Sequence, residues 1–145
     1  MSRRLVPGLA VAAITMLAGG VAADAAKSPK LTATLSAAKE VGGAGPAGGK
    51  GTFSATFKKG KLCYTLKSTK LPQPVASHIH KGSATQNGGI VLDLKPTFSK
   101  GKASGCVAVT AALAKELRKH PSSYYVNIHT QKFPAGAARG QLRFR

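Results

Sequence analysis

The chain has 145 residues, 43% of them apolar and none Trp, and its 22 Lys and Arg against four Asp and Glu give a formal charge of +18. That length fits one domain, and the apolar fraction excludes a chain disordered throughout, because such chains lack the side chains that offset ordering entropy. The four acids, Asp24, Glu40, Asp93 and Glu116, are too few for paired-carboxylate catalysis or a carboxylate-rich metal cage.

Arg3 and Arg4 precede an uncharged, mostly apolar run from Leu5 to Leu17, and small residues follow as far as Ala26. This order predicts a secretory signal peptide over 1–25, cut after Ala23 or Ala25, a linker over 26–30 and a domain over 31–145. The apolar run is shorter than the roughly 20 residues of a membrane span. It also contains Pro7 and Gly8. No transmembrane segment is therefore expected after cleavage, and the protein should be secreted or periplasmic. Cleavage after Ala25 removes two of the 22 cations and one of the four acids, which leaves +17.

Leu31 to Ser36 alternates as a strand does, and Thr52 to Lys58 reads as a second strand. Between them, Glu40 to Lys50 is a Gly-rich loop, but no GK[ST] follows to make it a phosphate cradle. Lys59-Gly60 is a tight turn into the strand Lys61 to Lys67. Pro72 and Pro74 interrupt the chain before the strand Val75 to His80, and Asn87-Gly88-Gly89 turns into Ile90 to Leu94. A turn at Lys100 to Lys102 leads to the strand Gly105 to Thr110. Thr110 can cap a helix over Ala111 to Lys119, with Leu113 and Leu117 one turn apart and Pro121 ending it. His120, at that helix end, suits the helix dipole. Tyr124 to His129 and Ala138 to Phe144 complete the strands. The pattern indicates an all-β antiparallel sandwich or barrel with one short helix.

Cys63 lies opposite Leu62, Tyr64 and Leu66 in its strand, and Cys106 lies opposite Val107 and Val109 in its own. Both cysteines thus take the non-aliphatic face, and in an oxidising compartment one disulfide between these strands is expected.

Three blocks resemble the chordin-type family called CHRD. They are Glu40-Val41 with its Gly-containing loop, Ser77-His78-Ile79-His80-Lys81-Gly82 with Asn87 to Leu94, and Tyr124 to Thr130 with Phe133-Pro134, Gly136 and Arg139-Gly140-Gln141-Leu142. The resemblance runs from about Leu31 to Leu142. It implies an extracytoplasmic, immunoglobulin-like β-sandwich, and it brings no catalytic set. The chain has Ala137-Ala138 where an acid often precedes Arg139, which removes a potential partner of that arginine.

His78 and His80 point to one face of their strand, Ile79 to the other. If the strand Tyr124 to His129 pairs beside it, His129 joins them, and three imidazoles suit zinc or copper(II). The plainer reading has these histidines donating to backbone carbonyls or stacking on Tyr125 and Phe133. Arg139 could bind an anion or tie the last strand to a loop through backbone carbonyls. No Arg cluster, recognition helix or aromatic ladder marks a specific nucleic-acid binder. No GxSxG elbow exposes a nucleophile either. The expected function is an exported, non-catalytic binding or interaction module of the CHRD type whose ligand the sequence leaves open, with an extracellular or envelope protein or an anionic polymer as the candidate partner classes. The alternatives are a histidine-based copper or zinc protein and an electrostatic binder of an anionic envelope polymer.

Overall fold

The computed structural model describes residues 29–43 and 45–145, so the predicted leader over 1–25 lies outside the described residues. Nine strands follow in chain order: β1 Leu31–Ser36, β2 Lys50–Lys58, β3 Lys61–Thr69, β4 Pro74–Lys81, β5 Ile90–Asp93, β6 Lys102–Ala108, β7 Tyr124–Thr130, β8 Ala138–Gln141 and β9 Arg143–Phe144. One α-helix, α1 at Ala111–Lys119, lies between β6 and β7, and single 3-10 turns are at Ala37–Lys39 and Pro121–Ser123. Among the described residues no helix is long and apolar enough to cross a membrane.

Every strand pairing is antiparallel, and the strands form one sheet in the order β5-β4-β7-β8-β1-β2-β3-β6, with β9 added to β1. The all-β fold with one short helix is as the sequence implies. In detail it is one continuous, curled sheet rather than two separately bonded layers. Alternation drives the curl. Leu31, Ala33 and Leu35 of β1, Phe53 and Ala55 of β2, and Leu62, Tyr64 and Leu66 of β3 turn to one side. There they meet Ile79 of β4 and Val126 and Ile128 of β7 in a single buried cluster. Removing a fully buried Leu or Ile side chain from water is worth about 1.5–3 kcal/mol, so bringing the two halves of the sheet together outweighs leaving either face wet. The Tyr64 hydroxyl donates to Leu94 O at 2.9 Å and fastens β3 to the chain just after β5.

The helix has the predicted bounds. Thr110 leaves the sheet, and its side chain accepts from Leu113 N at 3.2 Å. Leu117 is fully buried, and the Arg118 guanidinium lies 3.9 Å from the Phe57 ring centroid. The His120 amide donates to Glu116 O at 2.8 Å before Pro121 ends the run. Cys63 and Cys106 face each other directly in the β3–β6 register and form the disulfide.

Most strand limits differ from the sequence reading by one to three residues, and three of the differences have a clear cause in pairing. β2 begins at Lys50, because Lys50 and Gly51 extend the pairing with β1 and β3. β6 begins at Lys102, because the turn through Lys100 and Gly101 closes on a Ser99–Lys102 bridge and sends the chain straight along β3. The last strand divides at Leu142: Ala138 to Gln141 pair with β7, whereas Arg143 and Phe144 pair with β1.

Candidate metal centre on the β4–β7 face

β4 and β7 are neighbours, with His78 opposite Asn127 and His80 opposite Tyr125. His129 stands opposite Ala76, diagonal to His78, which is close enough for ring contact. Ile79 turns into the core with no exposure, as its place between two histidines requires. All three predicted histidines are therefore brought together. One ring nitrogen from each lies within 4.8 Å of the other two. His78 Nδ1 is 3.1 Å from His129 Nε2.

The remaining hydrogen bonds fix which nitrogens are free. His80 Nδ1 lies 2.9 Å from Gly88 O, and His129 Nδ1 lies 2.9 Å from Pro134 O. A carbonyl only accepts, so each Nδ1 carries the proton; the His129 Nε2 lone pair then accepts from His78 Nδ1, whereas that of His80 Nε2 has no donor. His80 Nε2 is buried and has no hydrogen-bond partner. Burial holds the His80 and His129 rings below the usual imidazole pKa, outweighing the opposite pull of their carbonyl partners. Both rings thus stay neutral, in the form that ligates metal, at a pH where a free imidazole already charges. His78 Nε2 lies 3.8 Å from Asp93 Oδ1, whose oxygen also accepts from Lys95 N at 2.8 Å.

Gly88 supplies the carbonyl for His80, and only glycine fits there, since a Cβ would stand 1.5 Å from Lys81 O. The Gly88 amide donates to the Tyr125 hydroxyl at 3.1 Å. The Tyr125 ring stacks on His80 at 4.9 Å with planes 5° apart. Arg139, from β8 on the other side of β7, places its guanidinium carbon 3.5 Å from the same ring's centroid.

Arg139 is 1% exposed, and it donates to Asn87 Oδ1 at 3.0 Å and to Ser83 O and Gln86 O at 2.9 Å each. It therefore holds down the loop that carries Gly88, with Gln141 Nε2 adding a 3.0 Å bond to Gly82 O. The carbonyl partners expected of Arg139 are the ones it has. The site also contains two residues that the sequence reading gave no role. Glu40 Oε2 accepts from Asn127 Nδ2 at 3.4 Å, while Glu40 Oε1 and Asn127 Oδ1 are buried without partners. Burial pushes the Glu40 carboxyl up to about 7, against the pull of Arg139 and the Asn127 bond. The scarcity of acids was the one signal in the sequence that could have singled Glu40 out.

The family model of the CHRD domain matches residues 31–142. The chain belongs to the CHRD family. No curated protein and no solved structure matches it. The match spans β1 to the residue after β8, so the histidine cluster, the Gly88 loop and Arg139 all lie within the CHRD domain.

Proposed function

We propose that this CHRD domain is an exported, non-catalytic binding module whose ligand is a copper or zinc ion held by His78, His80 and His129. One observation carries the reading. Two of the three imidazoles are tied through Nδ1 to backbone carbonyls, which leaves the lone pair on Nε2; that of His129 meets only His78 Nδ1, within the cluster, and that of His80 is buried with nothing to bond. Ligating histidines usually have such an outer partner, and it sets both tautomer and ring orientation. The plainer reading, carbonyl hydrogen bonds and stacking on Tyr125, describes the same contacts but leaves that lone pair unused.

A tetrahedral zinc ion with bonds of about 2.0–2.1 Å needs its nitrogens about 3.3 Å apart, so nitrogens now up to 4.8 Å apart would close by up to about 1.5 Å on binding. A water would complete the shell of a bound ion. Imidazole ligands favour copper(II) over zinc in the general affinity order. The ring nitrogens hold the ion, the Gly88 and Pro134 carbonyls orient two of them, and Asp93 stands beside the third. The disulfide supports export, since such bonds persist in oxidising compartments.

Calorimetric titration of the tag-free protein with Cu(II) and Zn(II) tests this. One ion should bind per chain, copper more tightly. Binding should be lost in His80→Ala and His129→Ala and retained in His120→Ala, which lies outside the cluster. Bound metal should also raise the melting temperature, by about 2.7 kcal/mol of added stability at a hundredfold excess over Kd. Binding no tighter than millimolar, or binding indifferent to His80, would overturn the reading.

A further inference from the structure

The outward face of β9, β1, β2, β3 and β6 carries no acid and no aromatic ring. Register aligns its side chains into rows across the strands. Arg143, Thr32, Ser54, Thr65 and Ser104 form one row, and Thr34, Thr52, Lys67 and Lys102 form the next. At the far end, Lys58 stands directly opposite Lys61. Each of these positions is exposed or partly exposed. Hydroxyl rows and the Cys63–Cys106 disulfide thus lie between two lysine clusters, and the face continues past β1 into a cleft lined by Lys39, Arg143 and Arg145, with Glu40 as its one acid.

Two features of this face cost stability and are not needed to build the sheet. Like charges placed directly opposite repel, and the face has two such pairs, Lys58 with Lys61 and Lys67 with Lys102. The turns next to those pairs place Lys59 at φ 45° and Lys100 at φ 49°, each followed by a glycine at φ 73°. Asn or Gly takes that left-handed position more cheaply than lysine. Lysine at both turns extends the two cationic clusters, at the expense of backbone strain.

We infer that this face docks a linear polyanion without bases, a chain of phosphate groups long enough to reach both clusters. Lys61 and Lys67 are six residues apart on β3, a span of roughly 20 Å. A single small anion cannot touch both ends. The face has no ring for base stacking, which sets it apart from single-strand nucleic-acid platforms. Its apolar side chains are only the Cys63–Cys106 disulfide and Ala108, with no large aliphatic or aromatic group to enter a bilayer. The hydroxyls between the clusters donate to phosphate oxygens, and the lysines act as point charges that tolerate a flexible ligand.

The test is binding of long-chain inorganic polyphosphate to the folded, disulfide-bonded protein, with tripolyphosphate, single-stranded DNA and anionic phospholipid vesicles compared at one salt concentration. A face variant (Lys58→Gln, Lys61→Gln, Lys67→Gln, Lys102→Gln) is matched by a variant of equal charge with the substitutions elsewhere (Lys81→Gln, Lys115→Gln, Lys119→Gln, Lys132→Gln). Long polyphosphate should bind tightest. The face variant should lose about tenfold or more in affinity and show a shallower salt dependence, while the matched variant stays near wild type. Each half of the face variant, Lys58 with Lys61 or Lys67 with Lys102, should lose part of that affinity and melt no lower than wild type, because a repulsive pair has gone. Equal losses in the two quadruple variants would reduce the effect to net charge and overturn the inference. So would tripolyphosphate binding as well as the long chain, or tighter binding to DNA or vesicles. The histidine cluster lies on β4 and β7, so neither result bears on the metal reading.

Discussion

Glu40 and the three histidines show how burial sets the chemistry of single side chains in this protein. Among the described residues Glu40 is the only acid that is not exposed, and its carboxyl is raised to about 7, chiefly by burial. A carboxyl raised above its unfolded value of about 4.3 binds its proton more tightly in the folded chain. Its contribution is fully present below that unfolded value and is lost as pH rises through about 7. The neutral amide of Glu40→Gln can still accept from Asn127 but carries no such loss. The variant should therefore gain stability relative to wild type between pH 5 and pH 8, measured by urea denaturation at both. A difference that does not change with pH would contradict the assignment. The histidines were legible in the sequence because period-2 alternation sets His78 and His80 opposite Ile79, and His129 with Asn127 opposite Val126 and Ile128, so pairing the two strands brings them to one face. Glu40 was not legible, because it follows a one-turn helix at Ala37–Lys39 and no strand periodicity reports where its side chain goes.

At the scale of elements, local chemistry was the reliable guide. β1 and α1 have the bounds read from alternation and from Thr110 and Pro121, since each signal acts within a few residues of the boundary it sets. The start of β6 was missed because it depends on pairing with β3, a partner more than 30 residues earlier. That strand ends the sheet order, with one neighbour and the Cys63–Cys106 bond to hold it. The bond closes a loop of 43 residues, worth about 4 kcal/mol in the chain-entropy account. The double variant Cys63→Ser with Cys106→Ser should therefore unfold at a lower denaturant midpoint by up to that amount. Its amide exchange should rise first in Lys102–Ala108. An unchanged midpoint would mean that the β3–β6 ladder alone fixes the edge.

For the whole molecule, the alternation of β1, β2 and β3 announced an all-β core, but the strand order was beyond reach. Placing β7 between β4 and β8 joins segments some 50 residues apart, and only the shared core of Ile79, Val126 and Ile128 selects it. That placement decides the site. It sets His80 on one side of Tyr125 and Arg139 on the other, and it lets Arg139 pin the loop whose Gly88 carbonyl orients His80. The curled sheet also separates two surfaces, the histidine face on β4 and β7 and the lysine–hydroxyl face on β1, β2, β3 and β6. The proposed metal site requires imidazole lone pairs that the fold has set in place before the ion arrives. Long-range proton–nitrogen NMR of the 15N-labelled histidines, with and without one equivalent of Zn(II), tests it most directly. His80 and His129 should be Nδ1-protonated in the free protein, and of their ring nitrogens only Nε2 should move to metal-bound values when zinc is added. Nε2-protonated rings in the free protein, or histidine spectra unmoved by zinc, would contradict it.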